Sequence, residues 1–177
     1  MSDRDLPPVY QSAIALGSNL GDSLATLENA LDILDRLDNV AVIARSSWYR
    51  TAPVGPAQPD YLNGCALLEV GLKPHDLLHT LLAIENQFGR IRQQRWGPRT
   101  LDLDLILFEN IILDTPNLKI PHPRMRERAF VLVPLAEIAP HWVDPVSGKT
   151  IPQLAAKVRL TGSILLRYRP SLVRVTC

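Results

Sequence analysis

Cysteine is scarce in this chain. Two occur among 177 residues, Cys65 in an apolar run and Cys177 at the last position. No metal-ligand spacing links them and no disulfide framework is expected, so a reducing, cytoplasmic setting fits. Net charge is nearly absent too, at +1, which removes the ordinary basis for non-specific binding to nucleic acid or an anionic membrane. No apolar run is long enough to span a bilayer. The opening Met1-Ser2-Asp3-Arg4-Asp5 mixes charges and lacks the apolar stretch of a secretory signal. What remains is an ordinary globular composition, 46% hydrophobic and 21% charged, in a chain sized for one domain. Residues 1–10 read as a disordered leader, 11–160 as a single catalytic domain and 161–177 as a basic C-terminal tail. Proline is abundant: fifteen residues cluster in connections, which predicts long, shaped loops on a compact frame.

The most informative stretch is Arg95-Trp96-Gly97-Pro98-Arg99-Thr100-Leu101-Asp102-Leu103-Asp104. Gly97-Pro98 is a turn dipeptide. From Thr100 the pattern alternates, which predicts a strand. Leu101, Leu103, Leu105 and Leu107 are expected on one face, with Asp102, Asp104 and Ile106 on the other. On a strand, residues two apart point the same way, roughly 7 Å apart. Two carboxylates so placed can hold hard divalent cations, with phosphate oxygens completing the shells. An Asp-x-Asp pair alone is as readily an acidic face shown to water. Here Arg90, Arg92, Arg95 and Arg99 directly precede it. Carboxylates facing guanidiniums through one loop point to Mg²⁺ and a polyphosphate, because arginine suits bidentate phosphate contact. Each arginine taken singly is equally well a solvated loop residue.

The rest of the chain supplies the frame. Ser12 to Leu16 predicts a short strand. It runs through Gly17-Ser18-Asn19-Leu20-Gly21 into a helix over 22–37, with Asp22 or Ser23 as N-cap. That glycine turn can cradle a phosphate. A tight turn with two positive-φ positions explains it more simply, since it is no Walker loop. Val40 to Tyr49 predicts a strand, followed by a proline loop to Asp60 and a strand from Tyr61 to Val70. Tyr61 and Asn63 share a face there. A ring beside an amide suits a flat heterocycle, although a half-buried Tyr and a turn Asn need no ligand. Pro74 opens a helix with Leu77, Leu81, Ile84 and Phe88 buried, ended by Gly89. Glu85 lies one residue off that stripe and is expected to face the arginine loop. His75 and His79 have metal-ligand spacing but no evident third ligand, and read as surface residues. A short strand is expected over 110–113. His122 sits between two prolines, and Arg124, Arg126 and Arg128 form a second basic loop able to close on the same polyphosphate. Apolar helical spacing covers 131–138, Asp144 to Gly148 reads as a hairpin turn, and 151–158 reads as a short helix.

Four segments together carry a resemblance: Ala15 to Gly21, Gly55 to Asn63, Arg95 to Asp104, and Pro121 through Phe130. In this order and spacing the chain resembles the 6-hydroxymethyl-7,8-dihydropterin pyrophosphokinases. The resemblance implies an α+β fold, a ferredoxin-like α/β/α sandwich with a mostly antiparallel sheet and helices on both faces. The strand-helix-strand-strand-helix-strand order agrees independently. It implies transfer of the terminal diphosphate of ATP, as one unit, to the pterin's hydroxymethyl oxygen, with release of AMP. It further implies that Asp102 and Asp104 hold two Mg²⁺ ions and that Arg92 and Arg99 contact the transferred phosphates. His122 and Arg128 would bind the nucleotide's phosphates, Glu85 and Leu105 would lie near the adenosine, and Trp96 would belong to the nucleotide-side loop. Tyr61 and Phe130 would sandwich the pterin, with Thr51, Val54, Asn63 and Asp102 around its edge. The implied partners are these two small molecules, with no nucleic acid and no membrane, and the working unit is a monomer. Ala52 departs from a proline common in the family. Asn117 and Lys119 depart from the side chains expected near the nucleotide.

Two other classes remain open on the residues alone. One is a metal-dependent phosphohydrolase using Asp102 and Asp104. The other is a non-catalytic nucleotide-binding regulator. Tyr61, Asn63 and Phe130 discriminate, since neither alternative requires both a heterocycle clamp and two aspartates.

Overall fold

A computed structural model describes residues 7–53, 55–89, 98–159 and 166–168. A six-stranded antiparallel sheet forms its centre. β1 (Tyr10–Ser18) lies between β4 (Tyr61–Val70) and β5 (Asp102–Phe108). β2 (Val40–Arg45) and β3 (Tyr49–Thr51) both pair with β4, and β8 (Leu166–Arg167) extends the sheet beyond β3. A separate ribbon joins β6 (Leu113–Asp114) to β7 (Lys119–Ile120).

Because β1 is central, both its faces are covered, and its alternating side chains divide the core in two. Ile14 and Leu16 face α1 (Ser23–Asp35) and α2 (Pro74–Gln87), whose Leu27, Leu31, Leu34, Leu77, Leu81 and Ile84 pack there. Ala13 and Ala15 face α3 (Ala129–Ile138) and α4 (Ile151–Arg159). Small residues on that side let α3 approach closely. Buried from Val131 through Leu135, α3 has no polar stripe there to expose. Helices thus cover both faces, and the core β1-α1-β2-β4-α2-β5 is ferredoxin-like. Asp22 caps α1, accepting from the Ala25 amide at 3.1 Å. No helix among the described residues is long and apolar enough to cross a membrane.

Several expectations need correction. Residues 7–9 are described and β1 already begins at Tyr10, so the strand takes in the end of the expected leader. The strand expected over 40–49 is broken in two. β2 pairs with Ala66 to Val70 and β3 with Tyr61 to Asn63, leaving Gly64 and Cys65 between them. There the Trp48 ring lies over Gly64, where a β-carbon would come within 2.5 Å of it. The Ser46 hydroxyl takes over a ladder position, accepting from the Cys65 amide at 2.9 Å. The strand expected over 110–113 is β6, Leu113–Asp114. A register shift between Ala13 and Ile14 leaves Ile106 without a partner on β1, so Leu107 joins Ile106 on the α3 face instead of following Leu105. Of the glycine turn only Gly21 has positive φ, at 68°.

Arg126 of the second basic loop does not face a site. Its Nε and Nη2 donate to Asp144 at 2.6 and 2.8 Å, fastening the turn before α4 to the start of α3. Asp144 is fully buried. Burial opposes its ionisation, but hydrogen bonds from Arg126, Ser147 and the Val146 amide outweigh that and bring its pKa down from 3.8 to about 2. A carboxylate depressed in the fold stabilises above its unfolded pKa, and this contribution is lost as pH falls through the folded value. Asp144→Asn is therefore expected to flatten the loss of stability between pH 3.8 and about 2. Urea unfolding of both proteins across that range checks it.

Candidate active site

The ladder around β1 builds the floor of the site. Gly17 is opposite Asn63 on β4 and opposite Asp102 on β5. One step along, Ala15 is opposite Cys65 and Asp104. Asn63, Gly17 and Asp102 thus form one row across three strands, on the face that α3 covers farther along. Gly17 is required by proximity, not by backbone conformation. A β-carbon there would lie 2.7 Å from Asn63 Oδ1. Asn63 is held from its other side as well, its Nδ2 donating to Thr51 Oγ1 at 2.6 Å. Both are buried, so the amide is held in one orientation.

Tyr61, two residues before Asn63, is half-buried. Its phenol pKa is raised by burial and then by the nearby Asp102 carboxylate, with Arg99 opposing. Tyr61, Asp102 and Arg99 are therefore neighbours. Arg128 Nη1 lies 4.0 Å from Asp104 Oδ2, and its guanidinium carbon sits 5.5 Å from the centre of the Phe130 ring. The start of α3 thus brings a cation and an aromatic ring over the acidic pair. Arg124 instead pairs with Glu127 at 2.9 Å, so of the three arginines in this loop only Arg128 is paired with the aspartates.

Beyond β5, which forms one edge of the sheet, lies a cleft of about 320 Å³. Leu78, Leu82 and Glu85 of α2, Leu103 to Leu105, and the segments around Lys119 and His122 line it. Residues 90–97 of the arginine loop that Glu85 is expected to face lie outside the described residues. Glu85 is buried, and its Oε1 accepts the Leu103 amide at 2.8 Å, between the two aspartates. An edge strand has amides without a ladder partner, and Glu85 takes one of them. His122 anchors to the same strand through its amide, which donates to the Ile106 carbonyl at 2.9 Å. Its Nδ1 accepts the Arg124 amide at 3.1 Å, leaving the proton on Nε2. Burial, then Arg128 and Arg124, lower its pKa to about 4.

Asp104 lines the cleft, while Asp102 lies in the Asn63 row. The acidic pair stands between an aromatic and amide subsite and a cleft. Of the residues expected in the site, Thr51, Tyr61, Asn63, Glu85, Arg99, Asp102, Asp104, Leu105, His122, Arg128 and Phe130 border these two regions. Val54, Arg92 and Trp96 lie outside the described residues. The reading of the sequence passed over the close approach at Gly17 and the polar side chain of Asn19. Only the register of β1 reveals the first.

A model of the 7,8-dihydro-6-hydroxymethylpterin-pyrophosphokinase family matches residues 13–140. The chain belongs to this family. It is 54% identical over 163 residues to a 2-amino-4-hydroxy-6-hydroxymethyldihydropteridine pyrophosphokinase of Synechocystis, covering 92% of this chain and 84% of the relative. The Pseudomonas aeruginosa protein of the same name is 48% identical, over 84% of this chain and 92% of its own. A crystal structure of Plasmodium falciparum HPPK-DHPS A437G with SDX-DHP superposes with a TM-score of 0.69 at 15% identity, a likeness of fold. It covers 87% of this chain and 46% of that one, so the chain spans about half the length of that protein. Membership makes this chain a pyrophosphokinase, a transferase of folate biosynthesis.

His122 is expected to stay neutral in the free protein until the pH falls to about 4. An unfolded histidine takes its proton near pH 6.5, so stability should decline as pH falls from there toward 4. Proton-resolved NMR of His122, with His122→Gln to assign the resonance, checks the value. A titration at the ordinary histidine pKa would show that the ring is not held this way.

Proposed function

We propose that this chain transfers the β,γ-diphosphate of ATP to the hydroxymethyl oxygen of 6-hydroxymethyl-7,8-dihydropterin, releasing AMP, at the Asp102 and Asp104 pair. The observation that carries this is the single row of Asn63, Gly17 and Asp102. It sets an amide able to read a heterocycle's edge across one intervening strand from a carboxylate. On the far side of the pair lies the cleft for the nucleotide.

Two Mg²⁺ ions fit the residues present. Among the described residues no group of three or more His, Cys, Asp or Glu forms a protein cage. Two strand carboxylates open to a cleft suit Mg²⁺, which keeps waters and takes phosphate oxygens. When bound, the ions would offset phosphate charge and favour ionisation of the attacking hydroxyl.

The chain's own residues then position and screen. Asn63, oriented by Thr51, hydrogen-bonds the pterin's edge, with Val54 beside it and Asp102 at its reacting end. Tyr61 and Phe130 stack on its two faces. His122 donates its Nε2 proton to a phosphate oxygen without carrying charge. Arg128, Arg99 and Arg92 stabilise charge on the phosphates, and Trp96 is assigned to nucleotide binding by resemblance to the family. Glu85 and Leu105 shape the adenosine end. Attack by the hydroxymethyl oxygen on the β-phosphorus breaks the α,β bridge, and AMP leaves with the bridging oxygen. Such transfer leaves side chains little covalent work, so placement dominates. The working unit is taken to be a monomer, and ATP as co-substrate supports a cytoplasmic setting. The catalytic unit is 11–160, to which β8 adds an edge strand.

With Mg²⁺, ATP and the dihydropterin, AMP should form only when the pterin is present. ADP or phosphate formed without it would point to hydrolysis instead. Asp102→Ala and Asp104→Ala are each expected to lower kcat by about a thousandfold or more with the fold intact. Near-normal turnover with unchanged circular dichroism would remove the metal assignment. Phe130→Ala should weaken dihydropterin binding roughly tenfold while ATP binding changes little, because ring stacking is its role. Calorimetry of each ligand separately measures the split.

A further inference from the structure

Three segments meet at the end of β1, and one side chain ties them. Asn19 is buried, at 4% exposure. Its Oδ1 accepts the Arg99 amide at 2.8 Å, and its own amide donates to the Arg99 carbonyl at 3.0 Å. Its Nδ2 donates to Gln58 Oε1 at 2.9 Å and to the Pro59 carbonyl at 3.0 Å. The side chain's oxygen and both amide hydrogens are thereby engaged. Residues 19, 58, 59 and 99 all lie outside strands and helices. The turn does not need this side chain to start α1, since Asp22 supplies that cap.

The two segments joined serve opposite sides of the site. Gln58 and Pro59 lead directly into Tyr61 and Asn63. Arg99 lies three residues before Asp102 and is close enough to influence Tyr61. We propose that Asn19 is a positioning residue that couples the two substrate subsites, holding the pterin-side loop in register with Arg99 on the phosphate side. This rests on the function proposed above. Ordering of either segment by its ligand lowers the entropy cost of ordering the other, because the link is a set of short bonds to a buried amide. The coupling must be reciprocal: nucleotide tightens pterin by the factor by which pterin tightens nucleotide.

Calorimetry tests this with 6-hydroxymethyl-7,8-dihydropterin and α,β-methylene-ATP in Mg²⁺, the methylene bridge preventing transfer. In the wild type, dihydropterin should bind more tightly with the analogue present than without it. Asn19→Asp keeps an acceptor for the Arg99 amide but sets a carboxylate against Gln58 Oε1 and the Pro59 carbonyl. It should reduce that tightening about tenfold, while affinity for the analogue alone changes less than about threefold. Gln58→Ala, which removes the bond to Asn19 and a local bond to the Pro56 carbonyl from a partly exposed side chain, should reduce the tightening by a smaller factor and fold normally. A residue that merely supports the fold would lower both affinities together and leave their ratio unchanged. An unchanged ratio in folded Asn19→Asp and Gln58→Ala, or no tightening in the wild type, overturns the coupling alone. A wild type that makes no AMP from ATP and dihydropterin overturns the functional reading first, before any variant is made.

Discussion

The pairing of β1 with both its neighbours is the constraint on which the site depends. Side chains on a sheet alternate, so a slip of one residue between β1 and β5 would turn Asp102 and Asp104 toward α1 and α2. The apolar content of both faces forbids that slip. Leu101, Leu103 and Leu105 would lose their places in the larger core, and two carboxylates would be forced into it. Hydrophobic burial on one face therefore fixes polar geometry on the other. The bulge at Ile106 comes only after the aspartates, where the strand turns both Ile106 and Leu107 to the α3 side.

Gly17 gives this register its consequence. With any side chain there, Asn63 would be displaced from the Thr51 hydroxyl and the row between amide and carboxylate would be filled. The glycine thus makes room for a ligand next to a polar group that is already fixed. Thr51 depends in turn on β3, whose break from β2 at Trp48 and Gly64 lets the edge shift along β4 to reach Tyr61. Packing of one indole ring is thereby linked to the placement of a hydrogen-bonding amide two strands from the acidic pair.

Much of this was legible in the sequence because it rests on local pattern. The alternation from Thr100 shows a strand with both aspartates on one face, and apolar spacing marks the principal helices with few shifts at their ends. Tyr61 and Asn63 share a face for the same reason. What was not legible depends on partners distant along the chain. Arg124, Arg126 and Arg128 read as one basic cluster. Asp144, eighteen residues after Arg126, takes one of them, and Glu127 takes another. Glu85 was placed near the nucleotide by resemblance, but its bond to the Leu103 amide follows from β5 having a free edge, which no spacing in α2 reveals. Asn19 lies in a turn explained well enough by its glycines. Its importance comes from contacts 39 to 80 residues away.

Charge balance gives the arrangement its last argument. Among the described residues, Arg128 pairs with Asp104, and Asp102 and Arg99 act with opposite sign on Tyr61, so these four charges cancel. Arg124 is offset by Glu127, and His122 is held neutral. The ground prepared by the fold is therefore close to electrically neutral, although ATP carries about four negative charges at neutral pH. Bare ATP gains little from such a site, because each carboxylate repels the phosphates as an arginine attracts them. On the proposed function, divalent cations held by Asp102 and Asp104 would reverse that sign and offset the phosphate charge. The carboxylates would then favour the nucleotide only when it arrives with its ions. On the proposed function, a preference for metal-bound over metal-free nucleotide would follow from balancing the acids with arginines.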